Sequence, residues 1–483
     1  MRKKHVYLIG AIGLFALVHA GYWLLGVRYD MSTLDWYQQF LDPALLKTRL
    51  LESLFYLHSQ PPIYNLFLGL VLKAAPGREL VVFQAISVAW GLIFYLTIFG
   101  LLICLGARRL LAFGLSAVFM ASPSFILYEH WLFYTFPLSL VVTLAALVLL
   151  MALRQGKVWQ WMGFATALFL ASGIHSLFHL AYLVVAIAAI AWLHGRDRKK
   201  IILTALIPLV FMLAIYGKNL ALFGKFTTST WMGMNFWGMT ARNMHIAERR
   251  QLAANGEISR VSLLDRFADP EFYSAAYFEI PGYEGIPALR QLKKQTGASN
   301  YNHLGYIALS DQYMADALYV LRNYPQTLLV GSLRAWFAYF RSSSDNLFLS
   351  SANRASAGPI VAIYDTLFFG KLPLDLAHIP GLPIYTESRG HYLYLFLLAG
   401  LPLLVLCGLR AAWRGRLLGS AFDPAGRITL LFLCFNILYV ALLGNALEVG
   451  ENNRFRFVTD PSSFVLLGVV IEGLLGRRAG RRV

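Results

Sequence analysis

Apolar runs of about 20 residues, separated by short polar stretches, recur from one end of the chain to the other. Each is long enough to cross the roughly 30 Å hydrocarbon layer of a bilayer as a helix. The pattern predicts crossings over residues 6–27, 80–106, 109–124, 130–153, 158–175, 177–194 and 201–222. It predicts further ones over 326–341, 359–370, 391–409, 427–446 and 462–476, the first two of them short and one interrupted by Arg334 and Arg341. Residues 62–75 are apolar but span about two-thirds of the needed length, so they read as a re-entrant or tilted helix. The expected fold class is an all-α polytopic membrane protein, with about 11–13 transmembrane helices and additional helices in its external loops.

Between 223 and 325 hydrophobicity drops, and nine of the 25 acidic residues appear: Glu248, Glu257, Asp265, Asp269, Glu271, Glu279, Glu284, Asp311 and Asp316. Three regions follow: a transmembrane core over 1–222 with a first external loop at 28–61, a mostly helical external domain over 223–325, and a C-terminal transmembrane region over 326–483. No repeat, heptad or low-complexity segment stands out.

Composition strengthens this reading. Of the 483 residues 58% are hydrophobic and 14% charged, against about a quarter charged in soluble chains. The net charge of +17 does not form one nucleic-acid-binding face. Its basic residues lie in short clusters between apolar runs: Arg2, Lys3, Lys4; Arg108, Arg109; Arg154, Lys157; Arg196, Arg198, Lys199, Lys200; Arg410, Arg414, Arg416; and Arg477, Arg478, Arg481, Arg482. By the positive-inside rule all six are cytoplasmic, as are both termini. The first apolar run lacks a small-residue cleavage site before Arg28 and reads as an uncleaved helix. Cys104, Cys407 and Cys434 lie within apolar runs without metal spacing, and read as packing residues.

Candidate chemistry therefore falls on the external loops and helix ends. The first loop carries Asp30, Asp35, Asp42, Glu52 and His58. Asp42 precedes Pro43 and suits a helix cap, and Glu52 suits a helix surface near Arg49. Asp35, beside Trp36 and Tyr37, fits a general base if it is partly screened from water, with Asp30 the next candidate. His58 and Gln60, ahead of Pro61 and Pro62, sit where they could bind a phosphate or a metal, or serve structure alone. In YEHWLFYTFP, an aromatic belt accounts for Trp131, Phe133 and Tyr134. It does not account for Glu129, an acid that needs a cavity or a partner. His175 and His179 have the spacing of metal ligands on one helix, though packing also accounts for them. In EVGENNRFRF, Arg454 and Arg456 break the inside preference for basic residues; they either bind an anion as guanidinium forks or pair with Glu448 and Glu451.

These clusters, in this order, resemble the GT-C superfamily of membrane glycosyltransferases that use polyprenyl-phosphate sugars, most nearly the protein O-mannosyltransferases and the aminoarabinose transferases of lipid A. The likeness rests on the acidic first loop leading to HSQPPIYNLFLGLVLK, on YEHW, and on ENNRFRFVTDP. It departs in one respect: those families carry adjacent acids in the first loop, whereas Trp36 follows Asp35 and Met31 follows Asp30 here. The resemblance implies an inverting glycosyltransferase of the inner membrane, acting on the external, periplasmic face. It would move a sugar from a polyprenyl-phosphate donor to a lipid, glycan or protein acceptor. It implies Asp35, Asp30 and Glu129 as catalytic acids, and His58, Gln60, Arg454, Arg456 and Glu451 as donor-phosphate residues. A divalent cation held by His58 and Asp35 is a further expectation, and membrane lipids are expected partners. A polysaccharide ligase or polymerase, or a transporter or flippase, stands as the alternative reading.

Overall fold

The computed structural model describes residues 2–375 and 392–479, without the side chains of 2–6, 373–375 and 477–479; Arg481 and Arg482 lie outside it. Helix α1 (Arg2–Leu24) leads into a first loop with three short helices, α2 (Thr33–Trp36), α3 (Pro43–Thr48) and α4 (Leu50–Phe55). Then come α5 (Pro62–Ala74), α6 (Glu79–Cys104), α7 (Arg109–Met120), α8 (Pro123–Glu129), α9 (Thr135–Gln155), α10 (Val158–Ile174), α11 (Leu180–Leu193) and α12 (Arg198–Phe223). A polar region holds α13 (Met232–Met239), α14 (Ile246–Ala254), α15 (Pro287–Arg290) and α16 (Gly305–Asn323). The remainder comprises α17 (Gln326–Tyr339), α18 (Ser351–Phe369), the strands β1 (Lys371–Asp375) and β2 (Tyr392–Tyr394), α19 (Leu401–Arg414), α20 (Pro424–Leu447) and α21 (Asn452–Ala479). Strands β1 and β2 pair antiparallel.

The fold is all-α and polytopic. Among the described residues seven helices are long and apolar enough to cross a membrane: Tyr7–Leu24, Glu79–Cys104, Thr135–Gln155, Gly195–Phe223, Phe396–Arg414, Pro424–Leu447 and Asn452–Gly476. The pair α7 and α8, bent by 58°, has the length and apolarity of a crossing only when its two helices are taken together. The bend falls where Pro123 lacks the N–H to continue α7, and Ser122 restarts the helix by accepting from Phe125 N at 3.2 Å.

The number is smaller than the apolar pattern predicts, for two reasons. The runs at 158–175 and 177–194 fold as helices of 17 and 14 residues, about 25 and 21 Å long at 1.5 Å per residue. The runs at 326–341 and 359–370 fall in α17 and α18, which lack the necessary length or apolarity. Residues 130–134, predicted as part of a crossing, instead pair with the first loop: Asp30 N donates to His130 O and Leu132 N to Asp30 O, each at 2.8 Å.

Described basic clusters gather at one end of the bundle. Arg154 bonds Asp423 at 2.9 Å and Cys104 O at 2.9 Å, Arg108 pairs with Glu472 at 2.9 Å, and Lys200 reaches Gly156 O at 3.1 Å. The first loop and the polar region occupy the opposite, loop-bearing end. One hydrophobic core runs from Ala11 to Val469, so the segments on either side of the polar region form a single body. The polar region has its own core around Trp231, Met234, Trp237, Leu309 and Tyr313.

This second core depends on close approach of α13 to α16. A Cβ at Gly233 would lie 1.8 Å from Ser310 O and 2.9 Å from Met314 N, backbone atoms that cannot step aside. Gly233→Ala is expected to destabilise the protein by about 1–3 kcal/mol, read as a lowered melting temperature in detergent.

Candidate functional site

The site begins at the tight turn joining α20 to α21. Asn452 Nδ2 donates to Gly444 O, Asn445 Oδ1 and Glu448 O at 3.2, 2.9 and 2.9 Å, and its Oδ1 accepts from Gly450 N at 3.0 Å. Gly450 has φ +131, a conformation open to glycine. This turn presents Glu448 and Glu451 to a polar cavity of about 270 Å³ at the loop-bearing end. Gln38, Gln39 and Gln60 of the first loop contribute to its wall, as do Asn235, Arg242, Asp265 and Arg266 of the polar region and Phe348 of the segment after α17.

Glu451 is held from two sides. Arg454 Nε donates to its Oε2 at 2.6 Å, while Tyr37 OH lies 3.3 and 3.4 Å from its two oxygens. Arg454 is itself fixed by Tyr134 OH at 2.7 Å and by the rings of Phe133, Tyr134 and Phe455, each about 5 Å from its guanidinium carbon. Among the described residues, Oε1 of Glu451 thus meets only the long Tyr37 contact. Opposite, Arg266 bonds Asn235 at 3.0 Å and Glu448 at 3.4 Å, and Arg242 lies 3.9 Å from Asp265.

A second cavity of about 350 Å³ adjoins the first, sharing His175, Ser176, Asn235 and Glu448 as its wall. Its remaining lining is more apolar than polar: Leu177, Tyr216 of α12, Phe226, Met232, Leu443 and Leu447 of α20, and Phe455, with His179, Thr227, Thr228 and Ser229 along one edge. A polar chamber therefore opens sideways into a greasy groove between α12 and α20, with Glu448 at the junction.

Of the residues singled out in the sequence, Gln60, His175, Glu448 and Glu451 line the polar cavity. The others serve different ends. Asp35 is exposed and lines neither cavity; its backbone carbonyl accepts from Thr296 at 2.7 Å. The screening from water that would suit a base is absent there. Asp30 Oδ1 accepts from Ser32 N at 2.9 Å, a local turn, and its backbone forms the pairing with residues 130–132. Glu129 is buried and has the partner that its burial demands, since His19 Nε2 lies 2.5 Å from Oε2. Its Oε1 presses against α6, where only a glycine fits: a Cβ at Gly91 would lie 1.8 Å away.

Both ring nitrogens of His58, expected to bind a phosphate or a metal, are engaged within the protein. Its Nδ1 meets Thr230 Oγ1 and its Nε2 meets Asn302 O, both at 2.9 Å, so neither ring nitrogen is left for a ligand. It latches the first loop to the polar region. Arg454 takes the ion-pair role with Glu451. Arg456 pairs with Asp460 at 3.1 Å and donates to Tyr339 O and Ser343 Oγ, lining neither of these two cavities. With Asn453, whose Nδ2 donates to Ser342 O at 2.9 Å, it anchors the segment that ends at Phe348.

The expected cation site does not fit these residues. Asp35 and His58 do not face a common point, and among the described residues no three His, Cys, Asp or Glu converge. His175 caps the end of α10 and His179 the start of α11, so they share no helical turn. The sequence reading missed Arg242, Asp265 and Arg266, which reach the cavity from a separately folded region and carry no spacing signal that ties them to Glu451. No known protein family, curated protein or solved structure matches the chain.

The latch at His58 has a pH signature. Burial pushes its imidazole from 6.5 down to about 3, so between those values the unfolded chain binds the proton and the folded one does not. Stability is full above pH 6.5 and falls as pH drops through this window, by about 1.4 kcal/mol per pH unit at most. Melting temperatures from pH 7.5 to 4 are expected to fall more steeply for the wild type than for His58→Gln; parallel curves would refute the assignment.

Proposed function

We propose that the protein is an inverting glycosyltransferase that uses a polyprenyl-phosphate sugar. The supporting observation is the junction of a carboxylate- and arginine-lined chamber with an apolar groove between α12 and α20. A lipid-phosphate sugar has this same division: prenyl chain in the groove, phosphate at the junction near Arg266, sugar in the chamber. Glu451 Oε1 takes the proton of the acceptor hydroxyl as the acceptor oxygen attacks the anomeric carbon from the face opposite the phosphate. The bond from that carbon to the phosphate oxygen breaks, and the polyprenyl phosphate departs with the electron pair. Arg266 and Arg242 offset the charge that grows on it. The collection of basic residues at the opposite end supports an external chamber by the positive-inside rule, and the membrane in this reading is the inner one.

The test is transfer of labelled sugar from mannosyl, glucosyl, galactosyl and aminoarabinosyl polyprenyl phosphates by purified protein, with membrane lipid, glycan and protein acceptors. Transfer is expected from at least one donor, with Asp35→Asn retaining wild-type rates. No transfer from any donor to any acceptor would refute the class, and loss of activity in Asp35→Asn would return the base to the first loop.

A further inference from the structure

The polar chamber and the apolar groove meet at His175, Ser176, Asn235 and Glu448, the residues that line both. His175 follows α10, and its Nδ1 accepts from Leu177 N at 2.9 Å. A backbone amide only donates, so the proton of the neutral ring is on Nε2. Protonating the ring would set a second N–H against that amide, which holds the imidazole neutral. The rings of Tyr134 and Phe455 pack edge-to-face against it, with centroids 4.9 and 5.6 Å away. His175 is only 7% exposed, yet among the described residues its Nε2 has no hydrogen-bond partner.

Asn235 is oriented in the same way. Its Oδ1 accepts from Arg266 at 3.0 Å, which leaves Nδ2 as a donor with no partner among the described residues, and the hydroxyl of Ser176 is equally unused there. Nε2–H and Nδ2 only donate, so they fit a group that only accepts, as the free oxygens of a phosphodiester do. A saccharide hydroxyl would bring a proton of its own to each. Charge narrows the ligand further. Arg266 already faces Glu448 at 3.4 Å, so the junction meets an anion mainly with neutral dipoles, and Glu448 opposes every added negative charge.

We propose that His175, Asn235 and Ser176 form a neutral cradle for a single phosphodiester, and that this cradle selects a prenyl monophosphate diester over a diphosphate. The assignment rests on the transferase reading and deepens it by giving the phosphate its ligands. During transfer the same donors stay on the phosphate oxygens while charge grows there, adding to Arg266 and Arg242.

The test is native mass spectrometry of the full chain in detergent, titrated with a prenol, its methyl phosphodiester and its methyl diphosphate ester, all with the same prenyl chain. The wild type is expected to bind the phosphodiester about tenfold or more tightly than the prenol, and the diphosphate no more tightly than the phosphodiester. Two variants of His175 separate binding from structure. His175→Asn brings an amide oxygen to the place of Nδ1 but no donor to the place of Nε2, and His175→Gln does the opposite. His175→Asn is therefore expected to keep a melting temperature near wild type and lose about tenfold of the preference for phosphodiester over prenol, with prenol affinity unchanged. His175→Gln is expected to melt lower and keep that preference within about threefold. The reverse pattern, a prenol affinity that falls in step with the phosphodiester, or tightest binding of the diphosphate would overturn the proposal. Transfer by the wild type with a preference unmoved in His175→Asn would sink this assignment alone, whereas the expected binding with no transfer from any donor would sink the transferase reading alone.

Discussion

Glu451→Gln is expected to lower the rate of sugar transfer by about 10²- to 10⁴-fold, the range that a positioned general base contributes. The substitution keeps the shape of the side chain and leaves an oxygen for Arg454 to meet, but removes the group that can accept a proton. Arg454 then lacks a counter-charge, though it keeps Tyr134, Thr135 and three aromatic rings around it. Stability therefore falls, and the rate must be compared at a temperature where both proteins are folded by circular dichroism. A rate within a few-fold of wild type under those conditions would exclude Glu451 as base and leave Glu448 and Asp265 as the carboxylates of the chamber.

Helix existence was legible in the apolar pattern because long helices such as α6, α9 and α20 need only composition to declare themselves. Local chemistry was equally plain at Asp42, which caps α3 by accepting from Ala44 N at 2.9 Å, as the adjoining Pro43 suggests. Span number was less legible, since α10 and α11 are apolar but short, and α17 and α18 mix apolar and polar residues. The site was half legible. ENNRFRF announces buried charge, yet whether Arg454 faces a ligand or Glu451 depends on the turn that Gly450 and Asn452 make, which spacing alone does not reveal. Asp35 has the right neighbours in sequence, but Tyr37 is the residue of that run that turns inward, placing its hydroxyl on Glu451 and its carbonyl on Lys294 Nζ at 2.9 Å. The side chains that complete the chamber come from a second folding core, and their proximity to Glu451 is a tertiary fact.

That dependence makes Arg454 the position where stability and activity are most tightly joined. Arg454→Met leaves the Glu451 carboxylate buried with only the distant Tyr37 hydroxyl. Removing one partner of a buried ion pair costs about 3–5 kcal/mol, because the remaining charge is neither solvated nor matched. A marked fall in melting temperature is expected, accompanied by loss of transfer, since an unheld Glu451 no longer aims Oε1 into the chamber. Replacing both partners, as Arg454→Met with Glu451→Leu, removes the stranded charge and is expected to recover most of the stability while restoring no activity. This separation distinguishes a base held in place by its arginine from an arginine that binds the leaving phosphate itself: in the second case Arg454→Met alone would raise KM for the donor and leave the melting temperature nearly unchanged. Melting curves for the two single variants and the double variant, with transfer rates at a common temperature, decide between them.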